Sequence, residues 1–180
     1  MKLAILLPGI GYTCDRPLLY YGGRLARARG WEVLPVAFGG FPPKVRGDRD
    51  RLRESIAIAL RQTGEALRDV RWAGCEQVLF LSKSIGTAAA AAYTASLGIP
   101  CRHVFFTPLE ETFAHPVRDA AAFHGTADPW ARTECIRDLC AAAGIPLYLT
   151  EGANHSLETG DVPADIRILE TVMRQTEAFL

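Results

Sequence analysis

The strongest constraint on the fold is a series of short apolar runs, each of which stops at a glycine, a proline or a polar turn. The first run, Leu3 to Leu7, ends at Pro8-Gly9. Continuous apolar runs of this length are typical of strands that are buried on both faces of a parallel sheet. Similar runs predict further strands over residues 33–38, 77–81, 103–106, 120–123 and 146–149.

Apolar residues at helical spacing fill the segments between these strands. The spacing predicts helices over residues 16–29, 51–70, 87–97, 132–143 and 166–180. Strands that alternate with helices favour a parallel sheet with helices on both faces. We therefore expect an α/β fold, a three-layer sandwich around a mostly parallel sheet of about six strands. It is expected to form one domain over residues 1–180, without a cap domain.

The composition argues against several classes of function. Lysine plus arginine and aspartate plus glutamate number 20 each, so the formal net charge is +0 and offers no footprint for nucleic acid or an anionic membrane. No stretch approaches the roughly 18 apolar residues that a membrane span requires. The five cysteines form no CxxC pair, and their number is odd. This pattern favours reduced thiols and a cytoplasmic location, with no structural metal.

A junction between a strand and a helix stands out at Leu81-Ser82-Lys83-Ser84-Ile85-Gly86. This is the context of a nucleophile elbow, a sharp turn that raises a serine hydroxyl above the sheet. Ser84 is the predicted nucleophile, and the Ile85 N–H is a predicted oxyanion-hole donor at the start of the helix. Ser82 departs from the G-x-S-x-G pattern. The alternative interpretation makes Ser84 an ordinary helix-capping serine.

Two other polar residues follow later strands of the predicted sheet. Asp128 comes after the run that ends at Phe123, and His155 lies in the loop after the last strand. The carboxyl ends of parallel strands meet at one edge of a sheet, so both residues are expected near Ser84. An aspartate there would orient the histidine, and the histidine would act as the general base. A capping role before Pro129 is the alternative for Asp128.

The loop after the first strand carries the remaining predicted oxyanion-hole groups. Gly9, Ile10 and Gly11 supply flexible backbone at the position where a second N–H donor is needed. A dinucleotide-binding loop is the competing interpretation. It is weak because Cys14 follows in place of a third glycine.

Three residues near these loops are predicted to contact the substrate. Tyr12 and Trp130 are expected to form an aromatic wall, and Thr107 follows the fourth predicted strand. Lys83, beside the predicted nucleophile, is expected to be solvated.

Four segments together resemble the α/β-hydrolase superfamily, in particular small lidless serine esterases and dienelactone-hydrolase-like proteins. The segments are Leu-Pro-Gly-Ile-Gly, Ser-Lys-Ser-Ile-Gly, His-Gly-Thr-Ala-Asp and Gly-Ala-Asn-His-Ser-Leu. The resemblance implies a compact α/β-hydrolase fold with Ser84, Asp128 and His155 as its catalytic triad. It further implies hydrolysis of a small carboxylic ester or thioester through an acyl-enzyme, without cofactor or metal.

Two alternatives stay open at this point. One is a non-catalytic binding or scaffold protein that keeps the α/β-hydrolase fold, and the other is a flavodoxin-like nucleotide-binding domain. The expected partner is a small-molecule ester or thioester, with no nucleic acid and no membrane. A second copy of the chain, forming a homodimer, is retained as a candidate partner.

Overall fold

Six strands form one sheet in the computed structural model, which describes residues 1–180 throughout. The strands are β1 (Lys2–Leu7), β2 (Glu32–Pro35), β3 (Gln77–Lys83), β4 (Arg102–Phe106), β5 (Ala120–Gly125) and β6 (Leu147–Thr150). They lie in the order β2-β1-β3-β4-β5-β6, and every neighbouring pair is parallel. The predicted parallel sheet of about six strands is confirmed.

Five α-helices cover the two faces of this sheet. They are α1 (Pro17–Ala28), α2 (Arg49–Leu67), α3 (Ile85–Leu97), α4 (Thr133–Ala143) and α5 (Val162–Phe179). Helices α1 and α5 share a hydrophobic cluster with one face, whereas α2, α3 and α4 pack in clusters on the other. The predicted three-layer sandwich is therefore confirmed. None of these helices is both long and apolar enough to cross a membrane.

The central strand β3 shows why the apolar runs are continuous. Leu79 and Leu81 point toward α1 and α5, and Val78 and Phe80 point toward α2 and α3. Because both faces of the strand are covered, every position along it except the first is buried.

Several element boundaries differ from the predicted ones by a few residues, and local contacts explain the differences at β2 and α5. Strand β2 ends at Pro35 and not at Phe38, because the Val36 N–H, which donates to the Leu6 carbonyl at 3.0 Å, makes the last backbone hydrogen bond to β1. Helix α5 begins four residues before the predicted Ile166. Its cap is Asp161, whose carboxylate accepts the Ala164 N–H at 2.8 Å. The first turn of this helix, Val162-Pro163-Ala164-Asp165, lies outside the buried core, so apolar periodicity alone could not find it.

Gly86 brings α3 close to the end of β1. A Cβ atom at this position would lie 2.5 Å from the carbonyl oxygen of Pro8 and 2.7 Å from that of Leu7. Both neighbours are backbone atoms that cannot move aside easily. A glycine is therefore required here, and it sets the start of α3 against the loop that follows β1.

Replacing Gly86 with alanine is expected to lower the free energy of unfolding by about 1–3 kcal/mol, the usual cost of overpacking. Gly64→Ala is the matched control within α2, where the nearest atom to a new Cβ is 3.9 Å away. That control should stabilise the protein by about 0.5–1 kcal/mol, because alanine is the better helix former. Urea unfolding of both variants checks this, and equal effects would contradict the role assigned to Gly86.

Candidate active site

Ser84 occupies a tight turn between β3 and α3. Its backbone has φ 56° and ψ −125°, a conformation that costs a residue other than glycine about 1–3 kcal/mol. The turn is held by the Ser84 N–H, which donates to the Phe106 carbonyl at 3.1 Å. The Thr87 side chain donates to the Ser84 carbonyl at 2.6 Å. The Ser84 hydroxyl makes no helix-capping hydrogen bond, contrary to the alternative interpretation.

The hydroxyl of Ser84 instead meets His155. The distance from Ser84 Oγ to His155 Nε2 is 2.8 Å, and that from His155 Nδ1 to Asp128 Oδ2 is 2.7 Å. The other oxygen of Asp128 accepts the Trp130 N–H at 2.8 Å. A carboxylate only accepts, so Nδ1 carries the proton and Nε2 is left to accept from the serine. The structure thus brings the three predicted residues into one hydrogen-bonded chain.

The electrostatics keep the imidazole of His155 neutral. Burial lowers the pKa of His155 to about 4, although its hydrogen bond to Asp128 acts in the opposite direction. The His155 side chain is 13% exposed, and that of Asp128 is fully buried. Above pH 5 the imidazole is therefore in the form that can take a proton from Ser84.

Contacts with two buried residues, Thr107 and Gly125, hold the loop that carries His155 in place. Thr107 donates its side-chain hydroxyl to the His155 carbonyl at 3.0 Å, and its N–H donates to Phe123 at 2.8 Å. Gly125 allows the same loop to approach β5, because a Cβ there would collide with the Ala153 carbonyl oxygen.

The prediction that Thr107 contacts the substrate is wrong. The residue is fully buried and its hydroxyl is already bonded, so it supports the histidine loop from inside the protein.

The turn after β1 lies directly beside the serine. A Cβ on Gly9 would be 3.1 Å from Ser84 Cβ. The Gly9 N–H donates to the Tyr12 carbonyl at 3.0 Å, which removes it from the predicted oxyanion donors. Ile10 and Gly11 sit at the tip of this turn, where Gly11 has φ 65°. The Ile85 N–H is the first of α3 and precedes the intrahelical hydrogen bonds.

The two aromatic residues that were predicted to contact the substrate have different surroundings. Tyr12 is only 8% exposed, and its hydroxyl accepts the Leu18 N–H at 3.0 Å. Its prediction as a substrate contact is therefore wrong. Trp130 stacks on the His155 ring with centroids 5.2 Å apart and stays partly exposed, so it borders the triad.

An apolar surface beside the triad was missed by sequence reasoning. It packs around Ile85 and Leu109, and its partly buried members are Ile10, Phe38, Phe41, Leu52, Ile56 and Trp130. The available signal was the pair of phenylalanines in a segment that is otherwise rich in glycine and proline. Such a segment is usually solvated, so two large aromatic side chains in it indicate a packed surface.

Lys83 is buried, contrary to the prediction that it is solvated. It is 2% exposed, and its Nζ lies 4.9 Å from the centre of the Tyr12 ring. Burial lowers the pKa of Lys83 to about 7, with the charges of Asp128 and Glu158 opposing the shift.

No group of three or more His, Cys, Asp or Glu side chains is arranged to hold a metal ion. Five cavities of about 390–710 Å³ open on the surface, and none of these five is lined by Ser84, Asp128 or His155. Ser84 itself is 3% exposed.

No protein-family model and no curated protein matches the sequence. Solved structures do match over nearly the whole chain. A protein of Agrobacterium vitis S4, provisionally described as a hydrolase, is 14% identical with a TM-score of 0.71, covering 99% of this chain and 87% of that one. A provisional α/β hydrolase of Agrobacterium tumefaciens is 18% identical with a TM-score of 0.67, covering 99% and 83%. A Pyrococcus furiosus esterase is 15% identical with a TM-score of 0.62, covering 96% and 83%.

This similarity identifies the fold as that of the α/β hydrolases. The order β2-β1-β3-β4-β5 also occurs in flavodoxin-like sheets, so strand order alone does not separate the two predictions. The structural matches and the positive-φ turn at Ser84 favour the α/β-hydrolase fold.

The buried lysine makes a pH-dependent stability difference testable. The pKa of Lys83 falls from 10.5 to about 7 on folding, so the unfolded chain binds more protons between these values. The free energy of unfolding therefore rises as the pH increases from about 7 to 10.5, and this gain is lost as the pH falls back toward 7. Lys83→Met should be more stable than the wild type at pH 6, and the gap should narrow by pH 9. Urea unfolding at both pH values measures it, and a gap that is constant or widens would contradict the burial argument.

Proposed function

We propose that the protein is a serine hydrolase that cleaves small carboxylic esters or thioesters through an acyl-enzyme. The observation that carries the proposal is the hydrogen-bonded chain Ser84–His155–Asp128, with distances of 2.8 and 2.7 Å. These are the contacts that a nucleophile, its general base and the group that orients the base must make.

Acylation begins when Ser84 Oγ attacks the carbonyl carbon of the substrate. His155 Nε2 takes the hydroxyl proton as the new C–O bond forms, and the carbonyl electron pair moves onto oxygen. Asp128 stabilises the resulting imidazolium through its hydrogen bond to Nδ1. The tetrahedral intermediate then collapses, and the imidazolium donates its proton to the departing alkoxide or thiolate.

Deacylation repeats these steps with water. His155 takes a proton from the water molecule as it attacks the acyl carbon, and then returns a proton to Ser84 Oγ. In both halves the oxyanion would be bound by the Ile85 N–H and by an N–H of the turn, from Ile10 or Gly11. Such preorganised donors supply much of the rate enhancement in acyl transfer.

The surroundings of the serine favour a substrate that carries a hydrocarbon group. The apolar surface around Ile85 and Leu109 offers contact for such a group. The esterase of Pyrococcus furiosus among the structural matches agrees with an ester as substrate. No cofactor enters this chemistry.

Ser84→Ala should lower kcat/KM for p-nitrophenyl acetate and butyrate by about 10³-fold or more, because the nucleophile is removed. Ser96→Ala, at the exposed far end of α3, is the matched control and should retain wild-type activity. The assay is release of p-nitrophenol with purified proteins. Equal turnover by the wild type and Ser84→Ala would exclude Ser84 as the nucleophile.

On the acid side of the pH profile, kcat/KM should begin to fall only at an unusually low pH. Because the pKa of His155 is lowered to about 4, the base stays neutral above pH 5 and kcat/KM should fall only as pH drops through 4. Initial rates between pH 3.5 and 7 test this. Enzyme returned to pH 7 after each exposure controls for unfolding. A limb near 6.5, the ordinary value for histidine, would contradict the burial argument for His155.

A further inference from the structure

Lys83 takes a position that the fold reserves for an apolar side chain. On β3 it follows Leu79 and Leu81 on the face covered by α1 and α5, where every second residue belongs to the core. It is 2% exposed and takes part in no salt bridge within 4.0 Å. Burying an amine without an ion-pair partner destabilises a fold, so its presence beside the nucleophile calls for a function.

The contacts of Lys83 connect the nucleophile strand to the turn after β1. Its stem runs alongside Gly9, where a Cβ would be 3.4 Å from Lys83 Cδ. Its Nζ lies 4.9 Å from the centre of the Tyr12 ring, a cation–π distance. Gly9 and Tyr12 in turn close the turn through two backbone hydrogen bonds of 3.0 and 3.4 Å. Only Ile10 and Gly11 lie between them.

We propose that Lys83 is a positioning residue whose cation holds Tyr12, and through it the turn that presents the N–H groups of Ile10 and Gly11 to the oxyanion. This role rests on the proposed function of Ser84. The cation–π contact requires the protonated amine, so the geometry of the turn depends on the charge of Lys83.

Several charged groups act on this amine and its neighbours. The carboxylates of Asp128 and Glu158 favour the protonated form, whereas burial disfavours it and holds the pKa of Lys83 at about 7. The groups around the contact are Asp128 after β5, His124 within β5, His155 and Glu158 in the histidine loop, and Arg16 before α1. The charge is therefore present below pH 7 and lost above it.

Four single variants separate the effects of the Lys83 charge, the Tyr12 ring and side-chain packing. Lys83→Met keeps the length of the side chain and removes the charge, and Lys83→Arg keeps a permanent charge. Tyr12→Leu removes the ring, whereas Tyr12→Phe removes only the hydroxyl that binds the Leu18 N–H. Circular dichroism and thermal melting establish which variants are folded.

At pH 6, where the amine of the wild type is protonated, Lys83→Met should lower kcat for p-nitrophenyl acetate about fivefold with KM within about twofold, since a cation–π contact is of that strength. Its melting temperature should rise, because an apolar side chain replaces a buried amine. A merely structural lysine would instead lose stability together with activity. Lys83→Met with wild-type kcat, or with a lower melting temperature, would overturn the proposal.

The double variant Lys83→Met/Tyr12→Leu should be no slower than the slower single variant, because both changes break one contact. Tyr12→Phe should keep most of the activity. Losses that multiply in the double variant would show that the two residues act separately and would overturn the proposal.

A readout that does not need catalysis separates this proposal from the proposed function. In ¹H–¹⁵N spectra of the wild type, the amide shifts of Ile10 and Gly11 should titrate with a midpoint near pH 7, the pKa of Lys83. In Lys83→Met this titration should vanish, and in Lys83→Arg the low-pH shifts should persist to pH 9. An unchanged titration in Lys83→Met would overturn the role of Lys83. Inactivity of the wild type toward esters would count against the proposed function alone.

Discussion

The close contact between α3 and the end of β1 is the constraint on which the rest of the site depends. Gly86 lets the start of the helix reach the carbonyl groups of Leu7 and Pro8, and this proximity forces the sharp turn at Ser84. The turn raises the hydroxyl at the carboxyl edge of the sheet, beside the loop that follows β1. A larger residue at position 86 would push the start of α3, and with it the serine, away from that loop.

The histidine and the aspartate reach the same edge through equally specific packing. Gly125 lets the histidine loop lie against the end of β5, and Thr107 binds the His155 carbonyl from below. Burial then sets the chemistry: Asp128 binds the Trp130 N–H and His155 Nδ1, and burial keeps the imidazole of His155 neutral. Lys83 adds one positive charge behind the serine below pH 7. The site thus combines buried titratable groups with a neighbouring apolar surface.

The sequence was most informative where one physical cause dominated. The strands were found because burial on both faces demands apolar runs, and Ser84, Asp128 and His155 were predicted to lie close together because strand ends in a parallel sheet share one edge. The boundaries of β2 and α5 were missed because they depend on hydrogen bonds that hydrophobic periodicity does not report: the last bond from β2 to β1, made by the Val36 N–H, and the cap at Asp161. Lys83 was misjudged because residue type was given more weight than alternation along β3, which placed it with Leu79 and Leu81.

Other errors concern interactions that only the folded chain defines. Thr107 follows a strand at the right edge, but its hydroxyl turns inward to the His155 carbonyl. The Gly9 N–H donates to the Tyr12 carbonyl, and the turn that brings these two groups together depends on the φ of 65° at Gly11. The apolar surface that includes Phe38 and Phe41 depends on α2 and α3 lying side by side. Each case turns on the direction of a group, which residue identity and spacing do not specify.

The central claim is that His155 activates the hydroxyl of Ser84 as a nucleophile. The most direct measurement is the rate and site of covalent labelling by a fluorophosphonate, read by intact mass and peptide mapping. The account predicts one adduct per chain, located on Ser84, and labelling slower by about 10²-fold or more in folded His155→Ala, in line with the contribution of a general base. An adduct on a different residue, or equal labelling rates in the wild type and His155→Ala, would contradict it.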